Sequence, residues 1–554
     1  LCFFLYLSCL AYVQAYSGST YNYELTFMDE NICIKAGKLM TKQTFIKGTL
    51  ILILAGFITR ILGFINRIVV ARFIGEEGVG LYMMAVPTLV LTITITQLGL
   101  PVAISKLIAE AEAQGDRRKV KKILVVSLAT TGTLSLIFTP AMILLAPYLS
   151  NHLFTDARTY YPLLAIAPVV PIIAISSVLR GYFQGKQNMK PSAISQVIEQ
   201  VVRISLVAAF TKALLPYGIE YAAAGAMLSA VIGELMSLLY MVFMFKTKKK
   251  FRLRKKFFTF VGEGKQTFNE LMRIALPTTG SRMIGSVAWF FEPIVVAQSL
   301  AIAGVATVAA TKQYGELVGF ALPLLLLPSF ITYSLSTSLV PAISEAAAKK
   351  NTLLIEHRLQ QALRLCFVSG GIAVVLLYVY ADPIMLLMYG TSNSAIYIKV
   401  MAPFFLFYYF QGPLQATLQA LDLAKAAMIN SLIGAVVKTA LIFILATQIG
   451  IMGAALAIVI GIVLVTILHM ATIMKVVSYT FYVRDYVKSF ITMGICVYSG
   501  KWMYQHLLLD ASVGSRSILF VTITILLYII LLLIFGLIKK EELARIPYIK
   551  KFIH

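Results

Sequence analysis

The sequence predicts an all-α integral membrane protein with about fourteen transmembrane helices: two six-helix lobes related by pseudo-two-fold symmetry, plus two C-terminal helices. Three observations predict it. Apolar runs of ~20 residues, the length a helix needs to cross a bilayer, recur along the chain. Basic residues fall between those runs in a regular alternation. Short blocks of the first half return, in order, in the second half.

Of the 554 residues, 59% are hydrophobic and 13% charged, a balance foreign to a soluble chain of this length. A β-barrel would instead show short alternating segments. Spans are expected near 48–75, 78–100, 123–147, 159–183, 191–215, 219–245, 270–299, 313–340, 362–384, 395–420, 426–448, 451–474, 486–507 and 515–537. Residues 1–39 stand apart. LCFFLYLSCLAYVQA could be a signal-peptide core, but it has no initiating Met and no basic start. From Met40 the chain reads like a natural beginning. Residues 1–39 are therefore expected to be a non-native or dispensable extension, with a cleaved signal or an extra anchor as alternatives.

The even-numbered connections are basic. They hold Arg117, Arg118, Lys119, Lys121 and Lys122, then Lys186 and Lys190, then KTKKKFRLRKK, then Lys349, Lys350 and Arg358. Lys425 follows, then Lys475, Arg484 and Lys488, and the tail adds Lys539, Lys540 and Arg545. Odd-numbered connections are poor in Lys and Arg, and the first carries Glu76 and Glu77. The positive-inside rule then predicts a multi-pass cell-membrane protein with both termini cytoplasmic. A formal charge of +24 would suggest nucleic acid in a soluble protein. Here the basic residues set topology and meet anionic lipid, so the lipid bilayer is the expected partner and nucleic acid is not.

The repeat is carried by several blocks. Ile68-Val69-Val70-Ala71 returns as Ile294-Val295-Val296-Ala297, and Ala103-Ile104-Ser105 as Ala342-Ile343-Ser344. Val201-Val202-Arg203 returns as Val436-Val437-Lys438, with Gln184 on Gln419, and Gly225 and Gly233 return as Gly453 and Gly461. This predicts lobes at 40–245 and 269–480 and a basic cytoplasmic linker at 246–268. Residues 481–554 hold the two extra helices and a basic tail. In transporters built this way the substrate path lies between lobes that rock against each other.

Arg60, Arg67, Glu199, Arg203, Arg282, Glu292, Glu316 and Lys438 fall within or near spans and are the candidate substrate-path residues. A charge near the bilayer centre costs ~2.5–3.5 kcal/mol on insertion scales, so each is expected to face protein or water. Arginine's planar fork suits phosphate. Arg60 and Arg67, seven apart on one helical face, suggest a path for something anionic. Arg67 also aligns with Glu292-Pro293 in the repeat and could instead pair with Glu292. Glu199 and Arg203, four apart, are either a self-satisfied pair or path-lining. Lys438 repeats the position of Arg203. Glu234 and His469 are read as helix-packing groups. Pro277, Pro293, Pro323 and Pro328 are mobile bends or static kinks, and Gly315 with Gly319 forms a GxxxG packing face.

No phosphate-binding loop, D-x-D or H-E-x-x-H occurs. The five cysteines show no ligand spacing. No enzyme activity, cofactor or metal is expected.

Four blocks carry a resemblance: ITRILGFINRIVVARFIGEEGVGLY (58–82), SSVLRGYFQGKQNMKPSAISQVIEQVVRISLV (176–207), FFEPIVVAQSLAIAGVATVAATKQYGEL (290–317) and FFLFYYFQGPLQATLQALDLAKAAMINSLIGAVVKT (404–439). From Met40 onward the chain resembles a sporulation member of the multidrug/oligosaccharidyl-lipid/polysaccharide exporter superfamily. The resemblance implies fourteen helices in two lobes and a role in making spore cortex peptidoglycan, alongside cortex-synthesis proteins. The related lipid II flippase moves an undecaprenyl-diphosphate-linked precursor outward, which implies a lipid-linked anionic substrate here. That flippase has an arginine where this chain has Arg60, in a shared S/T-R-x-L-G-F pattern. Its Arg-Asp pair falls on Asn66 and Arg67, and its later arginine and acidic pair falls near Glu316 and Gly319, so this chain departs from both. Two alternatives stay open. One is a cation-coupled multidrug antiporter, with Glu199, Glu292 and Glu316 supplying an acidic cavity. The other is a non-transporting scaffold for cortex assembly.

Overall fold

The computed structural model describes residues 32–248, 257–477, 483–508 and 510–537. Most of the extension 1–39, the middle of the linker 246–268 and the tail from 538 lie outside the described residues.

All regular structure among the described residues is helical: α1 (Ile32–Gln97), α2 (Leu100–Ala113), α3 (Arg117–Tyr148), α4 (Tyr160–Ile166), α5 (Val169–Gly185), α6 (Lys190–Leu214), α7 (Ile219–Lys248), α8 (Phe257–Gly262), α9 (Lys265–Ile302) and α10 (Thr307–Tyr314). A π-helical segment, Gly315–Ala321, leads to α11 (Leu322–Leu326), α12 (Ser329–Ala348), α13 (Thr352–Val379), α14 (Ala381–Tyr389), α15 (Ala395–Ala420), α16 (Ala424–Ile449), α17 (Ile451–Met474), α18 (Val483–His506) and α19 (Val513–Ile534).

Breaks fall where the local chemistry demands them. α1 is two arms joined at Gly75, whose φ of 64° and ψ of −171° suit a residue without a Cβ. The hinge lies between the first two expected spans. Asp116 caps α3 by accepting from the Lys119 amide at 2.8 Å, and Asn351 caps α13 by accepting from the Leu354 amide at 3.0 Å. The expected span 313–340 is bent by 51° between Leu326 and Ser329. Pro328 sits in that break, where its missing N–H removes a helix hydrogen bond.

Every expected span lies on helix. Length and apolarity select ten membrane-crossing helices among the described residues, or eleven with the bent pair as one span. This test counts the two arms of α1 together and passes over α15, rich in Gln and Tyr, and α18, which carries Arg484, Asp485, Lys488 and Lys501. Outward faces are apolar: Leu136, Leu144, Val436, Ile518 and Ile534 are all more than half exposed. Lipid is the solvent in which such faces cost little.

Contacts divide the chain into two compact units, one ending at Gly319 and one beginning at Phe320. Each has its own core. In the first, Ile104, Ile108, Leu179 and Phe183 pack with Leu124, Met241 and Phe245. In the second, Ile343, Leu414 and Leu418 pack with Leu359, Leu363 and Ile473. Ile104 and Ile343 are matching repeat positions, as are Leu179 and Leu414.

Glycine repeats as a packing device. A Cβ on Gly225 of α7 would lie 3.1 Å from the Phe210 carbonyl of α6, and one on Gly453 of α17 would lie 2.3 Å from the Leu445 carbonyl of α16. Both helix pairs therefore close to backbone distance. Gly453→Val should lower the thermal stability of the purified protein by about 1–3 kcal/mol through overpacking. Gly225→Val should cost less, because its clearance is larger. Equal unfolding midpoints for both variants and the parent would contradict this packing.

Candidate functional site

Four charged side chains gather where α5, α6 and α7 meet, in the first unit. Arg180 donates to the Glu234 carboxylate at 2.9 Å and lies 3.8 Å from that of Glu199. Glu199 also accepts from Arg203 at 3.0 Å, one turn along α6. Two cations face two anions, so the group is formally neutral. That balance is what a low-dielectric interior requires of buried charge. Gly233 makes it possible. A Cβ there would sit 2.8 Å from the Glu199 carbonyl and 3.3 Å from Arg203 Cβ, so α7 approaches α6 closely enough for Glu234 to join.

The cluster touches the arginine-bearing arm of α1. The Gln200 side-chain amide donates to Glu199 at 3.3 Å. Its carbonyl oxygen is the nearest atom, at 3.7 Å, to a Cβ built on Gly63. Gly63 lies between Arg60 and Arg67 on the same side of that arm.

Other expected site residues fall elsewhere. Arg60, Arg67 and Arg282 are exposed on their helices. Arg67 and Arg282 make no ion pair among the described residues, so the pair that Arg67 could have made with Glu292 is not formed. Glu292 and Glu316 are buried, Glu316 within the π-helical segment. Lys438 lies in the second unit, with its stem against Gly461, where a Cβ would meet Lys438 Cβ at 2.9 Å. This repeats the contact of Gly233 with Arg203. The positions matching Arg180, Glu199 and Glu234 are Gln415, Gly434 and Ile462, so the second unit keeps the cation without the other three charges.

Arg180 was not among the residues singled out from the sequence. It lies in the last turns of an expected span, where an arginine ordinarily reaches for the interface. Only the closure of α5 on α7 gives it a buried partner. His469 is buried, its Nδ1 2.7 Å from the Val465 carbonyl, consistent with packing. Among the described residues, no three or more His, Cys, Asp or Glu side chains gather as metal ligands would.

A second polar group lies at the end of the first unit remote from the basic connections. Glu76 and Lys312 pair at 3.2 Å. Arg158 bridges Glu77 and Asp156, meeting Asp156 at 2.9 Å. Asp156 also accepts from the Thr311 hydroxyl at 2.7 Å. Burial alone would raise the Asp156 pKa, but hydrogen bonds from Arg158 and Thr311 and the charge of Arg158 outweigh it and hold the carboxyl below its ordinary range. Its contribution to stability is therefore present at neutral pH and lost only as pH falls through that lowered value. Gly315 and Gly319 pack here on the second arm of α1: a Cβ on Gly315 would sit 2.1 Å from the Glu76 carbonyl, and one on Gly319 2.1 Å from Val79.

Removing one partner of a buried pair leaves the other uncompensated, at about 3–5 kcal/mol. Glu234→Ala should lower the melting temperature of the purified protein. Replacing both partners, Glu234→Leu with Arg180→Met, should recover most of the loss. A double variant no more stable than the single one would argue against the pairing.

Comparison with known proteins follows the same lines. Residues 45–347 match the family model described as "Polysaccharide biosynthesis protein", and residues 286–444 the one described as "MatE". The chain is 65% identical over 516 residues to stage V sporulation protein B of Bacillus subtilis (strain 168), covering 93% of this chain and 100% of that one. Its fold is similar to lipid II flippase MurJ in an inward closed conformation, with TM-score 0.68 and 17% identity over 87% of this chain and 98% of that one. It is also similar to an inward-facing multidrug resistance MATE transporter of the MOP superfamily, with TM-score 0.63 and 16% identity over 75% of this chain and 93% of that one.

Proposed function

Because the chain belongs to the polysaccharide biosynthesis protein family, within the multidrug/oligosaccharidyl-lipid/polysaccharide exporter superfamily of membrane transporters, we propose that it flips a lipid-linked, anionic precursor of spore cortex peptidoglycan across the cell membrane. The cargo is of the undecaprenyl-diphosphate-linked kind. Both termini lie in the cytoplasm, as the alternation of basic connections supports. The observation that carries the reading is the pair of exposed arginines, Arg60 and Arg67, on one side of a membrane helix, next to a charge cluster that is already neutral.

The chemistry follows from that placement. A diphosphate entering the membrane loses its hydration and needs cationic donors. A guanidinium supplies two parallel N–H bonds to each phosphate it meets. The Arg180–Glu199–Arg203–Glu234 group does not compete for the cargo, because its cations are held by its own carboxylates. It braces α6 beside Gly63 instead. The prenyl tail stays in lipid throughout. Basic connections at the cytoplasmic face raise the local concentration of an anionic headgroup. A membrane potential negative inside favours outward movement of an anion, by ~2.3 kcal/mol per charge per 100 mV.

A cation antiporter would need carboxylates open to its cargo. Glu199 is engaged by two arginines, and Glu292 and Glu316 are buried, so the exposed charge on the first arm of α1 favours an anion.

Proteoliposomes carrying labelled lipid-linked precursor test the proposal. Headgroup exposure on the far side should fall at least tenfold in Arg60→Ala with Arg67→Ala, at equal protein incorporation, while Arg60→Lys with Arg67→Lys should retain part of the rate. Unchanged flipping by the alanine variant would remove the arginines from the path. Normal cortex in spores carrying it would do the same.

A further inference from the structure

The start of α9 lines a cleft of about 640 Å³ with Glu263, Lys265, Gln266, Asn269, Glu270 and Arg273. Helical spacing puts them there. Gln266, Asn269, Glu270 and Arg273 follow at intervals that stack on one face, and Lys265, Asn269 and Arg273 recur every four residues. Thr267, Leu271 and Ala275 fall on another face and are buried, the last two in the core with Leu100 and Phe245. The short helix before it is held as well, since the Lys121 ammonium lies over the Phe260 ring, 4.9 Å from its centre.

The carboxylates of the cleft are already engaged. Glu263 lies 3.6 Å from Arg118 of α3, and Glu270 lies 3.3 Å from Lys119. Glu270 also accepts from the Gln266 side-chain amide at 3.3 Å. These contacts draw Glu270 away from Arg273, which it would otherwise meet three residues along the same helix. Lys265 and Arg273 make no ion pair among the described residues, and the Asn269 amide makes no hydrogen bond among them. All three are exposed. With the two α3 residues included, four cations meet two carboxylates, and the surplus rests on Lys265 and Arg273.

That surplus decides what the cleft suits. A cationic ligand would meet two uncommitted positive groups and no open carboxylate. An apolar ligand would cover charged side chains without pairing them. An anion gains from both. Arg273 offers a phosphate two parallel N–H bonds, and Lys265 offers a point charge. Asn269 stands between them with a donor and an acceptor, the complement of a hydroxyl. Lys265 and Arg273 are eight residues apart, about 12 Å along the helix, so a headgroup of several linked groups spans them better than a single phosphate does.

We propose that this cleft is a docking site for the phosphate- and sugar-bearing headgroup of a membrane lipid, with Arg273 and Lys265 on the phosphates and Asn269 on a sugar hydroxyl. The proposal rests on the reading above, in which the cargo is a lipid-linked diphosphate and this end of α9 faces the cytoplasm. It adds a place where the headgroup is held before it reaches Arg60 and Arg67. Arg118 and Lys119 are positioning residues, which keep the two carboxylates from repelling the ligand.

Purified protein in phosphatidylcholine nanodiscs tests this, in the Arg60→Ala, Arg67→Ala background so that binding on the path does not mask the cleft. The probes are the sugar-bearing lipid-linked precursor, undecaprenyl diphosphate without sugar, and inorganic diphosphate. Lys265→Ala with Arg273→Ala should raise the dissociation constant of both lipids by about tenfold or more, since two charge-assisted contacts are lost. Asn269→Ala should weaken the precursor and leave undecaprenyl diphosphate unchanged. Lys119→Met should weaken both lipids, because Glu270 then turns to Arg273, and Glu270→Gln in the same chain should restore them. Unchanged affinity for both lipids in the Lys265→Ala, Arg273→Ala protein, at a normal melting temperature, overturns the site. Inorganic diphosphate binding as tightly as the lipids also overturns it, since the cleft would then hold free phosphate. So does displacement of the precursor by an equal amount of phosphatidylglycerol, since the cleft would then read only negative charge. Flipping in proteoliposomes by the protein with Arg60 and Arg67 intact separates this site from the cargo assignment. Flipping that proceeds while the cleft variant binds normally removes the docking site alone. Binding that depends on Lys265 and Arg273, in a protein that flips no precursor, leaves the docking site and removes the transport reading.

Discussion

Arg180 stands between Glu234 and Glu199, and the arrangement of α5, α6 and α7 depends on that contact. Packed alone, α5 would carry Arg180 and α7 would carry Glu234 into the membrane uncompensated, whereas α6 brings a pair of its own. Together they reach neutrality, with Arg203 as the fourth member. The geometry permits few alternatives. Glu234 is reached only because Gly233 brings α7 against the backbone of α6. One missing side chain thus sets the distance at which four charged ones cancel. The arm of α1 with Arg60 and Arg67 then rests against a braced surface, through Gly63 and Gln200.

The second unit uses the same packing without the same electrostatics. Gly461 receives the stem of Lys438 as Gly233 receives Arg203, and Gly453 closes on α16 as Gly225 closes on α6. Yet Gln415, Gly434 and Ile462 occupy the positions of Arg180, Glu199 and Glu234. Backbone approach has been kept in both halves, while charge has been elaborated in one. A repeat of this kind shares the mechanical part of the fold and leaves chemistry to diverge. The anion-binding face proposed for α1 fits such a division.

Much of this was legible in the chain. Spacing of apolar runs marked the helices, because crossing a bilayer demands a fixed length. Pro328 announced a bend through its own backbone chemistry, and the i,i+4 pair of Glu199 with Arg203 could be read because a helix places such residues together. Gly315 and Gly319 were legible as a packing face for a similar reason. The number of crossings was less secure, since α15 and α18 are helices too polar for a simple hydropathy test. Contacts between distant segments were not legible at all. Arg180 with Glu234, and Thr311 with Asp156, lie on different helices, and nothing in the spacing of either residue names its partner. The alignment of Arg67 with Glu292 suggested a pair that does not form, since equivalence in a repeat is not proximity. The sequence by itself determined the helical membrane class, the repeat and which charges must find company, because the bilayer imposes those terms on every segment separately. Which charges meet was decided only by the tertiary structure, because pairing depends on how close two helix backbones come, and here glycines at 233 and 315 set that distance.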